Sequence, residues 1–353
     1  MPVKWTDLPE WVLATLRAGV VIPAHPLALD ADGTFDRRRQ RALTRYYIDA
    51  GAGGLAVGVH TTQFEIRDHG LYEPVLRLAA ETAGEWTDQP LVRIAGLVGA
   101  TAQAEREAAI AVDLGYHAGL LSLAALRGAD EDALIAHCQA VAAQIPVVGF
   151  YLQTAVGGIP LSRSFWQRFA EIENVIAIKV APFDRYRTLD VMAGIAAAHA
   201  EDRISLYTGN DDHILLDLVT PFHVRRGSDL VELRFTGGLL GHWSVWTQSA
   251  VALLQRAKAE IADGRISAEL LALDSRITDC NAAIFDVAND FKGCIAGCHE
   301  VLRRQGLLDS IRCLNPEESL GPGQQAEIDR IYSDHPDLND DEFVAANVDR
   351  WLT

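Results

Sequence analysis

One lysine in this sequence stands where lysine is seldom found. Lys179 lies in the run VIAIKVAP, residues 175–182, with apolar neighbours on both sides. A strand with one solvated face alternates polar and apolar residues, and this one does not. Lysine is rarely fully buried unless paired. Burial disfavours the ammonium form, and a neutral amine is what nucleophilic attack on a carbonyl needs. The run therefore reads as a Schiff-base lysine at the carboxyl end of a buried strand. A lysine that snorkels out at a strand end gives the same pattern.

Other segments carry side chains suited to work with such an amine. Tyr151 ends PVVGFY, residues 146–151. A phenol beside Lys179 would move protons during imine formation and carbon–carbon cleavage. The alternative is an aromatic core residue with a satisfied hydroxyl. The turn Gly58-Val59-His60-Thr61-Thr62-Gln63 joins a glycine that allows close backbone approach to hydroxyls and N–H groups. Such a turn would hold a carboxylate, and it also reads as a plain βα loop with a threonine cap. Tyr207-Thr208-Gly209-Asn210-Asp211-Asp212-His213 offers polar site lining through Gly209 and Asn210, or a helix N-cap. Its Asp and His residues resemble metal ligands, but Asn210 and Asp211 are ordinary first-turn residues, so no metal is expected. Glycines after the last strand candidate, Gly241 among them, would admit a ligand near the backbone. Cys294 and Cys298 have no His or Cys pair at zinc spacing and read as helix residues.

These residues need a scaffold, and the chain alternates two kinds of segment. The first is short and apolar: Gly19–Pro23, Gly54–Val59, Leu91–Ala95, Ala118–Ser122, Pro146–Tyr151, Val175–Lys179, Ile204–Tyr207 and Val231–Phe235. Near-continuous apolar runs are the mark of parallel strands covered on both faces. The second is longer and helical in period, and it falls between or after the strands. Eight strands each followed by a helix predict an α/β fold of the (β/α)8 TIM-barrel type, whose chemistry sits at the carboxyl ends of the strands. A doubly wound sheet would offer a glycine-rich loop after the first strand. The segment there, PAHPLALDADG, is not one. Beyond the eighth unit the pattern stays helical. The expected organisation is a catalytic barrel over 1–265 and a helical extension over 266–353, packed on the barrel or at a subunit interface.

The formal charge of −17 argues against a nucleic-acid partner. No apolar run is long enough to cross a bilayer, and MPVKWTDLPEW shows no signal-peptide pattern. Five scattered cysteines suit reduced thiols. The expectation is a cytoplasmic protein with no membrane or nucleic-acid partner.

Taken together, these segments resemble the dihydrodipicolinate synthase / N-acetylneuraminate lyase family of class I aldolases, from about Gly19 to Pro316. GVVIPAHPLALDADGTFD is similar to that family's first strand and turn, and GLAVGVHTTQFEI matches its carboxylate-binding turn in position. PVVGFYLQ resembles the strand with the catalytic tyrosine, which lands on Tyr151. VIAIKVAPFD resembles the Schiff-base strand, whose lysine lands on Lys179, and LYTGNDD the seventh-strand turn. The resemblance implies a barrel with C-terminal helices, a homo-oligomer (tetramer or dimer), and no metal or organic cofactor.

The departures matter too. The family's hydroxyl pair falls on Val59 and His60 if the turn is aligned from Gly58, and on Thr61 and Thr62 after a shift of two. His60 would then be a substitute proton carrier. The arginine that follows the synthases' tyrosine is absent from Thr154-Ala155-Val156-Gly157-Gly158. Their tyrosine-rich turn is replaced by Ser122-Leu123-Ala124-Ala125-Leu126. This implies a member other than the lysine-pathway synthase, with a rather apolar distal pocket. The expected activity is a lyase that makes or breaks a C–C bond next to a pyruvate unit, with an apolar aldehyde as partner. A sugar-acid dehydratase on the same scaffold, a non-catalytic oxo-acid sensor, and a metal-dependent aldolase using His60, Asp211 and His213 are the other readings.

Overall fold

The computed structural model describes residues 1–353. The chain begins with α1 (Glu10–Ala18), then β1 (Val21–Pro23), α2 (Arg37–Asp49), β2 (Gly54–Val57) and α3 (Tyr72–Trp86). β3 (Val92–Leu97), α4 (Thr101–Asp113), β4 (Ala118–Leu121), α5 (Glu131–Ala142), β5 (Val147–Leu152) and α6 (Arg163–Ala170) follow. Next come β6 (Val175–Ala181), α7 (Arg185–Ala197), β7 (Ser205–Thr208), α8 (Ile214–Val219), β8 (Phe222–Arg226), β9 (Asp229–Leu233) and β10 (Phe235–Leu240). The chain ends in α9 (Thr247–Ala262), α10 (Ala268–Ile284), α11 (Cys294–Arg304), α12 (Gln324–Asp334) and α13 (Asp341–Trp351). All strands but β8 and β9 belong to one eight-stranded sheet. The fold is a (β/α)8 barrel with additional C-terminal helices.

Two compact units divide the chain. The first comprises residues 1–20 and 92–239. Its strands lie in the order β3-β4-β5-β6-β7-β10 and pair in parallel. β5 and β6 are buried along their whole length, as their apolar runs require. The helices start where a polar side chain meets the exposed N–H groups of the first turn: Asp130, Ser162 and Asp184 accept from the backbone of α5, α6 and α7. At the amino end, α1 is tied in by the Tyr207 hydroxyl, which donates to the Leu16 carbonyl over 2.9 Å.

The eighth barrel strand is β10 and not the Val231–Phe235 segment expected from sequence. Val231–Leu233 belongs to β9, which pairs antiparallel with β8 as a separate hairpin. There the burial alternates, the pattern of a ribbon with one wet face. β10 itself contains Gly237-Gly238, poor strand formers by composition. A side chain at Gly237 would come within 2.4 Å of the Val20 carbonyl oxygen, so close backbone packing forces glycine there.

The second unit comprises residues 21–91 and 240–353. Just after β1, Ala24 is bridged in parallel to Ala56 of β2, and the His25 N–H donates to the Ala56 carbonyl over 2.8 Å. α2 is capped by Asp36 and packs against α3 and α13. The α2–α13 contact is aromatic with polar pins. The Trp351 ring lies tilted against Tyr46 at 5.4 Å, the Tyr46 hydroxyl donates to Asp340 over 2.7 Å, and the Trp351 indole N–H donates to Asp49 over 2.6 Å. Cys294 and Cys298 are buried, unbridged residues of α11.

Candidate active site

The lysine that led the sequence reading is enclosed. β6 buries every residue, and Lys179 is 7% exposed. Neighbouring strands put Phe150 opposite Lys179 on one side and Tyr207 opposite it on the other. The Nζ atom lies 4.5 Å from the centre of the Phe150 ring. The methylene stem runs past Gly209, where an added Cβ would fall 2.6 Å from the lysine Cε. An amine on so confined a stem has few rotamers to lose on reacting. Gly209→Ala should therefore push the stem out of line. The expected outcome is a loss of about 1–3 kcal/mol in stability from overpacking and a slower reaction of the amine, checked by denaturant unfolding and by borohydride labelling of Lys179.

Tyr151 does not join Lys179. Its ring packs on Trp166 of α6 at 5.2 Å, and its hydroxyl sits 3.2 Å from both the carbonyl and the N–H of Leu161. The reason is parity. Successive residues of a strand face opposite sides, and Phe150, one place earlier, shares the row of Lys179. The sequence reading gave Tyr151 a proton-shuttle role beside Lys179; here its hydroxyl is bonded to the Leu161 backbone, and Phe150 is the residue that lies opposite Lys179.

The turn after β7 is a closed polar lock. Thr208 and Asn210 donate to Asp217 over 2.6 and 2.9 Å, and the amide oxygen of Asn210 accepts the Phe183 N–H over 3.0 Å. Arg185 meets the other oxygen of Asp217 at 2.5 Å. Asp217 is fully buried, and burial raises its carboxyl above the usual range although Arg185 and these donors pull the other way. Asn210 is thereby committed to the scaffold, not to lining open space. Gly209 keeps only its backbone and its lack of a side chain for the site, its N–H donating to the Val180 carbonyl over 2.8 Å. Sequence reasoning missed Asp217 and Arg185. A lone acid in the apolar helix ILLDLV was the available signal.

In the second unit, the turn after β2 is wound tightly. Thr62 donates to the His25 carbonyl over 2.6 Å while accepting the N–H groups of Gly58 and Val59, and Thr61 donates to the Ala24 carbonyl over 2.7 Å. Gly58 takes φ +77°, which glycine tolerates. Both threonine hydroxyls thus spend their protons on the carbonyls of Ala24 and His25, just after β1. His60 is half-buried, its ring edge-on to Phe64 at 5.8 Å. Gly241 lies against Phe285, where a Cβ would come within 2.7 Å of the ring, so its smallness serves packing. No three His, Cys, Asp or Glu side chains are grouped to share a metal ion, and this includes His60, Asp211 and His213.

Beyond Phe150, the first unit's strand ends are apolar. Leu123, Ala124, Leu152, Ile159 and Leu161 join Phe150 around a nearly filled space of about 10 Å³, with Ser122 supplying the hydroxyl.

Residues 18–222 match the Dihydrodipicolinate synthetase family, more than half of the chain. The chain belongs to the dihydrodipicolinate synthetase family. Within it, the chain is 28% identical over 209 residues to a 4-hydroxy-tetrahydrodipicolinate synthase of Synechocystis sp., covering 56% of this chain and 64% of that one. It is 29% identical over 197 residues to a probable 5-dehydro-4-deoxyglucarate dehydratase of Streptomyces coelicolor, covering 54% and 57%. The match thus spans less than two thirds of either relative. Among solved structures, the Acinetobacter baumannii dihydrodipicolinate synthase bound to pyruvate superposes with a TM-score of 0.73 at 20% identity, covering 90% of this chain and 98% of that one. A Clostridium difficile protein, CdNal, in complex with mannosamine gives 0.71 at 17% identity, covering 90% and 99%. Both likenesses concern the family fold.

Proposed function

We propose that this chain is a class I lyase that forms a Schiff base between Lys179 and a 2-oxo acid such as pyruvate. One observation carries the reading: a buried lysine in the middle of an unbroken apolar strand, its stem fenced by Phe150 and Gly209. Family membership supports it, and so do the relatives, whose names include a synthase and a dehydratase.

The course runs as follows. The Lys179 nitrogen lone pair attacks the ketone carbon. A proton passes from nitrogen to oxygen, a second proton is taken up from solvent by the carbinol oxygen, and water leaves to give an iminium. That cation takes up the electron pair of an adjacent bond. In aldol cleavage the bond is C3–C4, the C4 hydroxyl loses its proton and an aldehyde departs; in aldol addition or dehydration it is C3–H, whose proton is released; either way the result is an enamine. Within the second unit, the Thr62 hydrogen bonds hold the turn after β2 rigid. The apolar side chains at the strand ends beyond Phe150, Leu152 and Ile159 among them, favour an apolar aldehyde as the second substrate.

Tyr151 then serves the scaffold. Tyr151→Phe removes a hydroxyl that bonds only backbone, and the expected outcome is turnover within about threefold of the parent with stability lower by about 1 kcal/mol. A loss of more than a hundredfold in kcat would return the phenol to the chemistry.

The enamine gives a direct test. In D2O, an enzyme that interconverts iminium and enamine exchanges the methyl protons of pyruvate for deuterium, which NMR follows without knowledge of the second substrate. Exchange is expected, and its absence for pyruvate and other 2-oxo acids would remove the reading. The dehydratase relative keeps a second reading open, water loss from a sugar acid, and a panel of apolar aldehydes against deoxy sugar acids separates the two.

A further inference from the structure

Lys179 has to carry a positive charge during the chemistry above, and the aromatic face beside it is the feature of this site that the proposed course leaves unused. Phe150 lies directly across the β5–β6 ladder from Lys179, so the two side chains leave the sheet on the same face in adjacent strands. The nitrogen is 4.5 Å from the ring centre. Both residues are buried, Phe150 at 5% exposure. Gly209 lies against the stem of the lysine, so the ring and the stem are held close. A cation within about 6 Å of a ring centre is attracted by the negative face of the ring, and more strongly where water is excluded.

We propose that the face of Phe150 stabilises the iminium that Lys179 forms with a 2-oxo acid, acting through its π-electrons and not by filling space. The inference rests on the Schiff-base reading. Formation of the iminium consumes the neutral amine and the ketone, releases water, takes up one proton, and leaves the positive charge shared by the nitrogen and the former carbonyl carbon. That charge stays at the end of the lysine stem, where the ring already lies. Phe150 is thus a positioning and electrostatic residue, selecting for the cationic adduct over the free carbonyl. A phenylalanine does this without bringing a second proton carrier to the nitrogen.

The test separates electronics from size. Mono-, di- and trifluorophenylalanine are placed at position 150 of the full-length protein, alongside Phe150→Tyr, Phe150→Trp and Phe150→Leu. Each protein is titrated with pyruvate, and imine is read as the reduced Lys179 adduct after borohydride. The pyruvate concentration giving half-maximal adduct should rise stepwise with each fluorine and reach about tenfold in Phe150→Leu. Tyrosine and tryptophan, which keep an electron-rich face, should stay within about threefold. A flat fluorine series, with a shift only in the leucine protein, would make Phe150 a filler and overturn the proposal. The fluorinated residues nearly match phenylalanine in volume, so they decide the matter even if the leucine protein fails to fold. The parent protein is the control for the underlying reading. If it gives no adduct, the Schiff base itself fails. If it gives one that ignores fluorination, only the role of Phe150 does.

Discussion

Lys179→Ala should abolish turnover while leaving the fold in place. Removing a covalent nucleophile leaves no second route to the iminium, so kcat is expected to fall by about 10⁴-fold or more. Arginine should not rescue it, because its guanidinium stays protonated and cannot attack a carbonyl. The structural cost should be small. The side chain lies beside Gly209 and Phe150 and no strand hydrogen bond depends on it. Deuterium exchange into pyruvate, with circular dichroism of the same sample, checks both halves. Exchange persisting above about one per cent of the parent rate would locate the nucleophile elsewhere.

Acid should unfold this protein earlier than its carboxylates alone would suggest. His25, His242 and His299 are fully buried, and burial pushes each imidazole down to about 4. His117, also buried and beside Arg93, is lowered to about 4 as well. In the unfolded chain a histidine takes up a proton near pH 6.5. Between that pH and about 4 the unfolded state therefore binds more protons than the native state, and stability falls as the pH drops through this window. Each histidine contributes a slope of up to about 1.4 kcal/mol per pH unit. Four acting together set an upper bound of order 10 kcal/mol, comparable with the whole stability of a domain. Glu318 works against them. Burial raises its carboxyl to about 7, so the native state holds its proton above the unfolded value and its contribution favours folding as the pH falls. The raised buried carboxyls of Asp212, Asp217 and Asp340 act in the same sense as Glu318, and His137, also lowered by burial, acts with the other histidines; the expectation is a denaturation midpoint that drops from pH 6.5 to pH 4. A midpoint unchanged across that range would show that the imidazoles titrate normally.

How much of this was legible in the sequence depends on where polarity breaks a pattern. Lys179 was visible because a charge inside an apolar run has few explanations. The C-terminal helices were visible because their apolar residues recur with helical period. The strand β10 was not, because Gly237 and Gly238 are shaped by the nearby Val20 backbone and carry no strand signal of their own. The choice between Phe150 and Tyr151 was hidden for another reason. A strand buried on both faces has no alternation, and without alternation a sequence carries no phase to say which residue points inward. Only the pairing of β5 with β6 supplies it. The turn after β2 shows a third case. Its composition announced hydroxyls, yet their protons go to the carbonyls of Ala24 and His25, an allocation that requires the partner strand. Asn210, read from sequence as site lining, has its amide taken up by Asp217, seven residues on.

The central claim is covalent, and it is most directly tested by trapping. The full-length protein is incubated with pyruvate and borohydride, digested, and its peptides weighed. The account predicts a reduced pyruvate adduct on the peptide carrying Lys179, absent from Lys179→Ala and from samples lacking pyruvate. An unmodified Lys179 peptide, with pyruvate and with other 2-oxo acids, would contradict it.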